Sequence, residues 1–180
     1  MSGATMTTLV QRLVFDQARG EVRDQDRRYL LMRPDVLMGT LRQLDDGTRS
    51  EVLAAFADST AIHGTHSIIA YLSTLEADGE DGARALLSLI RETSPALGWG
   101  RWAFAPVEDG LALTVANSPF AAGYGPATQP VCAPIAGMFR TVAGVVLGNA
   151  VAVEETACAA MGDHDECRFI ARRCSQGVAA

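Results

Sequence analysis

The spacing of apolar residues changes character along this chain, and each change marks a different element. Tyr29-Leu30-Leu31-Met32 runs together between Arg28 and Arg33 and predicts a short strand, stopped by Pro34. The ring of Pro34 suits the first turn of a helix carrying Val36, Leu37, Leu41 and Leu44, with Asp45-Asp46-Gly47 as its end. From Thr48 onward, Val52, Leu53, Phe56, Ile62, Ile69 and Leu72 fit an amphipathic helix, capped by Thr48 or Ser50 and weakened inside by Gly64. A further helix carries Ala83, Leu86, Leu87, Leu89 and Ile90 and should close at Ser94-Pro95.

Beyond that point the pattern alternates. Trp99 to Val107, the turn Glu108-Asp109-Gly110 and Leu111 to Ala116 read as an antiparallel hairpin. Ser118 to Pro130 reads as a loop rich in Gly, Pro and Ala. Pro134 to Gly148 carries no charge except Arg140 and reads as a largely buried helix. Val151 to Thr156 and Glu166 to Ala171 complete a final hairpin. Strand, helices and hairpins follow one another without a βαβ rhythm and without an internal repeat, so the expected class is α+β with an antiparallel sheet.

Composition adds little to the fold but excludes partners. At 180 residues and 19.1 kDa the chain suits a single domain over residues 1–180, with an ordered core at 7–174 and frayed ends at 1–6 and 175–180. A formal charge of -6 and scattered basic residues argue against a nucleic-acid partner. The longest apolar candidate, Val142 to Val153, is too short to span a membrane and is broken by Gly144 and Gly148. The N-terminus has no basic region followed by an apolar stretch, so a cytoplasmic protein is expected. In such a reducing compartment, four cysteines are better read as thiols or metal ligands than as disulfides.

The chemistry concentrates in Glu155-Thr-Ala-Cys158-Ala-Ala-Met-Gly162-Asp-His-Asp-Glu-Cys167-Arg-Phe169. A hairpin brings ligand-type side chains together from both arms, because neighbouring strands lie about 5 Å apart and a zinc–sulfur bond is about 2.3 Å. Alternation puts Glu155 on the face of Val151 and Val153 and turns Glu154 away. Cys132 precedes the buried helix. A helix of about 15 residues advances roughly 22 Å and a strand of about six returns roughly 20 Å, which carries the chain back beside Cys132. Cys132, Glu155, Cys158 and Cys167 would then form a closed, structural site, with zinc as the expected ion. His164 is the alternative fourth ligand, and small buried hydrophobes are the alternative role for the cysteines. Cys174 stands outside the set.

Glu155-x2-Cys158-x3-Gly162-x4-Cys167-x-Phe169, preceded by Cys132 and a glycine-studded helix, resembles the C-terminal signature of the 4-vinyl reductase domain. That domain is also the sensory domain of phenol- and xylene-responsive transcription activators. The resemblance is specific over residues 130–172; over 25–129 it is an agreement in the order of elements. In the aromatic-sensing relatives a Cys, a Glu and two further Cys hold a structural zinc, which implies the same role for Cys132, Glu155, Cys158 and Cys167. The resemblance also implies an antiparallel sheet packed with helices around an apolar pocket, similar to vesicle-tethering subunits and nitric-oxide-signalling ligand domains, and a homodimer.

An aromatic pocket needs apolar walls and one or two polar groups. His63, His66, Trp99, Trp102, Phe120 and Tyr124 are the candidates, although no motif aligns them with the family's ligand contacts. His63 and His66 share one helix face, where a satisfied structural histidine is the plainer reading. Trp99 and Trp102 fall on opposite faces of a regular strand, so one of them at most should line a given cavity. Tyr124 lies between two glycines in a loop that could close over a cavity. The leading expectation is therefore a stand-alone module binding a small hydrophobic or aromatic molecule. An enzyme or accessory of tetrapyrrole vinyl reduction would need a nicotinamide or flavin, for which there is no dinucleotide fingerprint. A purely structural interaction module is the third reading.

Overall fold

The computed structural model describes residues 9–73 and 79–174; the ends expected to fray, 1–6 and 175–180, lie outside them. The chain opens with a short helix, α1 (Leu9–Arg12), and a three-stranded antiparallel meander of β1 (Val14–Asp16), β2 (Glu21–Asp24) and β3 (Arg27–Tyr29). The strand expected over 28–33 is thus shorter and shifted. It stops at Tyr29 because no neighbouring strand or core meets Leu30, Leu31 and Met32, which are 77%, 71% and 50% exposed.

Pro34 does open a helix, α2 (Pro34–Arg42), which buries Met38 and Leu41 while Val36 stays exposed. Asp45-Asp46-Gly47 separates it from the 27-residue α3 (Asp46–Leu72), but Asp46 already belongs to the new helix. The first turn of α3 is closed by Asp45, whose carboxylate accepts the Thr48 N–H at 3.0 Å, rather than by Thr48 or Ser50. Next, α4 (Gly79–Ala96) passes one residue beyond Pro95, where Ser94-Pro95 was expected to close it.

The main sheet is antiparallel throughout. Its strands β4 (Arg101–Val107), β5 (Gly110–Ala116), β6 (Val151–Ala157) and β7 (Glu166–Arg173) lie in the order β4-β5-β7-β6, and both expected hairpins are present. Between them, 118–130 is not wholly loop. Ser118 accepts the Ala121 N–H at 3.4 Å and Pro119 occupies the first helical position, which together nucleate α5 (Pro119–Tyr124).

The expected buried helix is α6 (Ala133–Leu147), which lays Ile135, Phe139 and Ala143 on Leu113, Val115 and Phe169 of the sheet. Fully buried side chains of this size contribute roughly 1.5–3 kcal/mol each, so this contact is the centre of the core. On its other side α6 meets α3. The Thr141 hydroxyl donates to the Ala61 carbonyl at 3.0 Å, and the Arg140 guanidinium reaches Asp58 at 2.7 Å. Gly137 permits the approach: a Cβ there would collide with the Ala57 carbonyl oxygen and the Thr60 hydroxyl. Gly64, expected as a weak point of α3, faces Met138 of α6, whose thioether would lie 2.9 Å from an added Cβ. No helix among the described residues is long and apolar enough to cross a membrane. The class is α+β, helices on an antiparallel sheet, as the sequence implies.

Candidate functional site

Three separated stretches deliver four ligand-type side chains to one point. Cys132 caps the start of α6; Glu155 sits on β6 just before a bulge between Glu155 and Ala157; Cys158 follows the strand; Cys167 is the second residue of β7. The bulge re-aims the chain so that Glu155 and Cys158 address the same spot. A single 3-10 turn, Ala159–Met161, ends at Gly162 with φ +84° and reverses the chain toward β7.

The ligand atoms of Cys132, Glu155, Cys158 and Cys167 all lie within 4.8 Å of one another. Cys132 Sγ is 3.5 Å from Cys167 Sγ and 3.9 Å from Cys158 Sγ. Four bonds of about 2.3 Å at tetrahedral angles would set sulfurs about 3.8 Å apart, so the spacing is that of ligands around an ion and far beyond a disulfide. All three thiols are free and fully buried. Glu155 is half-buried, and its Oε2 accepts the Cys132 N–H at 3.0 Å. Its Oε1 is buried and has no partner. Exposed Glu154 points the other way.

The electrostatics ask for a positive charge. Burial and the neighbouring Cys158 push the Glu155 carboxyl up to about 9. Hydrogen bonds among the sulfurs hold Cys132 well above the usual thiol range and bring Cys167 down to about 4. Crowded thiols, one held as thiolate, beside a buried carboxyl with an orphaned oxygen form a set that a divalent cation would satisfy at a stroke. These residues therefore fit a metal ion. His164 is exposed in the turn and outside the cluster, and exposed Cys174 is also outside it.

The aromatic candidates divide between two cavities. The larger, about 750 Å³, lies between α3, α4, the start of β4 and the β2–β3 end of the meander. His63, Trp99 and Trp102 all line it. The expectation that the two tryptophans face apart fails because Trp99 precedes β4, so strand alternation does not reach it. The Trp102 indole N–H instead donates to the Trp99 carbonyl at 2.9 Å. Phe120 is buried behind Trp99, ring centroids 5.2 Å apart and nearly perpendicular, and meets Phe56 on its other side at 6.2 Å. His66 is exposed, its ring 6.2 Å from that of His63, and is not among the residues lining this cavity. Tyr124 lines a second cavity, about 600 Å³.

Several lining residues had no sequence signal. Asp24, 4% exposed, and Arg12 form part of the large cavity's wall, and Arg12 grips both Asp24 oxygens at 3.2 and 3.0 Å. Leu89 and Ile90 were legible as the apolar face of α4, and Met138 as part of an uncharged helix, but nothing in the pattern joined them to a cavity.

Comparison with solved structures places this fold among known ones. The phenol-responsive sensory domain of the transcription activator PoxR, solved with phenol, is 18% identical with a TM-score of 0.72, covering 92% of this chain and 86% of that one. A vinyl-4-reductase family protein from Methanocaldococcus jannaschii is 11% identical with a TM-score of 0.53, covering 83% and 85%. Subunit 3 of a trafficking protein particle complex from Naegleria fowleri, covalently bound to palmitic acid, is 14% identical with a TM-score of 0.52, covering 77% and 93%. At these identities the likeness is one of fold. A comparison with curated proteins found no match. The segment that builds the cysteine cluster accounts for the family resemblance: this chain carries a 4-vinyl reductase domain over residues 111–173.

Proposed function

We propose that this chain is a binding module for a small hydrophobic or aromatic molecule, stabilised by a structural zinc ion held by Cys132, Glu155, Cys158 and Cys167. The observation that carries this reading is the cavity of about 750 Å³ at which His63, Trp99 and Trp102 meet over walls from Leu89, Ile90 and Met138. Its size and apolar lining with few polar groups are those of a small-molecule site. Because the Trp102 N–H is already given to the Trp99 carbonyl, the indoles offer surface rather than donors. Polar recognition then falls to His63 and to the hydroxyls of Thr60 and Ser67. A weakly polar aromatic ring suits that division. The fold shared with a sensory domain solved with phenol supports the same class of ligand.

Zinc is favoured over other ions because three thiolates are soft ligands and a four-ligand set leaves no open position for chemistry. A cytoplasmic setting would keep those thiols reduced. Uncovered Leu30, Leu31, Met32 and Val36 support a homodimer through this surface. Light scattering on a sizing column would read a dimer mass, and a monomer mass at every concentration would remove that part of the proposal.

Thermal denaturation with phenol, toluene and indole tests the main claim. Binding at one hundred times the dissociation constant should stabilise the fold by about 2.7 kcal/mol. A flat melting temperature with every compound, confirmed by native mass spectrometry, would overturn it.

A further inference from the structure

We propose that the second cavity, about 600 Å³, binds a small monocarboxylate with an apolar body, whose carboxylate group is held by Arg42 and Tyr124. The proposal concerns a different site from the aromatic cavity and stands whether or not that cavity binds a ligand. The second cavity lies between the end of α2, the first turns of α3, the end of α5 and the start of α6.

The polar end of this cavity is a set of donors already partly spent. Arg49 gives one N–H to the Tyr124 hydroxyl at 2.7 Å and pairs with Asp46. The Tyr124 oxygen is thereby an acceptor, and its own hydrogen has no acceptor among the described residues. Tyr124 is only 6% exposed, so water is a poor substitute. Arg42 stands over the same ring, its guanidinium carbon 5.9 Å from the centroid, and makes no ion pair among the described residues. Two unspent donors, one of them charged, flank one aromatic ring. Their complement is an oxyanion.

Charge decides which oxyanion. Asp46 neutralises Arg49, and Glu155, at the far wall, belongs to the metal cluster and faces the Cys132 N–H. Arg42 is left as a single positive charge, which balances a monoanion and falls one short of a phosphate dianion. The first turn of the 15-residue α6 faces the cavity at Ala133 and Ala136 and adds a positive helix end without a direct contact. The remaining walls, Leu53, Val131, Pro126 and Pro130, are apolar and suit a ring or a short alkyl chain, not a free inorganic ion. A neutral hydrocarbon would leave both donors unpaired, so the cavity discriminates by charge as well as by shape.

The test is calorimetric titration of the full chain with benzoate, hexanoate and octanoate. The expected result is saturable one-to-one binding by at least one of them, weakening as salt is raised. Exposed Arg42 allows Arg42→Gln without loss of fold, and that change should weaken binding about tenfold or more. Tyr124→Phe should weaken it several-fold, while His63→Ala, in the other cavity, should leave it unchanged. Equal melting temperature and metal content certify each variant as folded. Absence of saturable binding by all three acids, wild-type affinity in both Arg42→Gln and Tyr124→Phe, or loss of binding in His63→Ala would each overturn the assignment.

Discussion

The stretch from Leu111 to Arg173 and the stretch from Leu9 to Met32 bury their apolar side chains to opposite extents. In the first, paired strands of seven or eight residues and α6 enclose Leu113, Phe139 and Phe169 at 1% exposure or less, together with the three cysteines of the cluster. In the second, strands of three or four residues leave Val14 and Phe15 about 60% exposed, and a bidentate grip of Arg12 on Asp24 fastens the meander beside the cavity. One region is a core with a metal clip, the other a wall held by polar contacts. Local opening costs least where buried apolar contact is smallest, so the wall, not the clip, is the side from which a ligand would enter.

The comparison breaks most completely at the clip. Cys158→Ala or Cys167→Ala should give protein that is unfolded or free of zinc, because binding energy at a structural zinc site, on the order of 10 kcal/mol, is also folding energy. Circular dichroism and elemental analysis would read both outcomes, and a chelator should reproduce the loss in the unaltered chain. A folded, zinc-free variant with an unchanged melting temperature would show that the cysteines serve only as packing.

A smaller break is available at the helix crossing that supports the clip from behind. Gly137→Ala places a methyl group against the Ala57 carbonyl, and backbone cannot yield as a side chain can. We expect a loss of about 3 kcal/mol in denaturant unfolding, the upper end of overpacking costs. By contrast, Gly64→Ala meets only the flexible end of Met138 and should cost less.

The clip was legible from sequence because its geometry is local. Period-two alternation fixed the face of Glu155, a short turn joined Cys158 to Cys167, and a helix and a strand of matching length returned the chain to Cys132. The meander was not legible, since Val14-Phe15 and Glu21–Asp24 are too short to show a period and half of their residues are polar. Leu30, Leu31 and Met32 misled for the complementary reason: apolar character predicts a strand only where a surface exists to cover it. In α5 the signal was present in Ser118-Pro119, a cap followed by a first-turn proline, but was masked by the Gly, Pro and Ala that follow. The cavity was only half legible. Alternation was extended to Trp99, which lies before the strand, and Asp24 carried no pattern at all.

The wall offers the next test. Asp24→Asn keeps the shape of the side chain and removes the charge that Arg12 holds. Since the Arg12 side chain is 44% exposed, the loss should be modest, about 1–2 kcal/mol, and confined to the meander. Hydrogen exchange should accelerate at β1, β2 and β3 while β5, β6 and β7 keep their protection. A uniform loss of protection across both regions would mean that the two are not separately fastened.

The finest discrimination is between the two candidates for the fourth ligand. His164 is exposed in the turn after Gly162, outside the group of four whose ligand atoms converge, so His164→Ala should leave zinc stoichiometry at one per chain and stability within about 0.5 kcal/mol. Glu155→Gln removes the carboxylate charge yet keeps a similar volume beside the Cys132 N–H, so it should weaken zinc retention against a competing chelator without the collapse expected of a cysteine change. Measured side by side, the pair separates ligation from mere proximity. If His164→Ala releases zinc while Glu155→Gln retains it, the turn folds back onto the ion and the orphaned Glu155 oxygen has a different purpose.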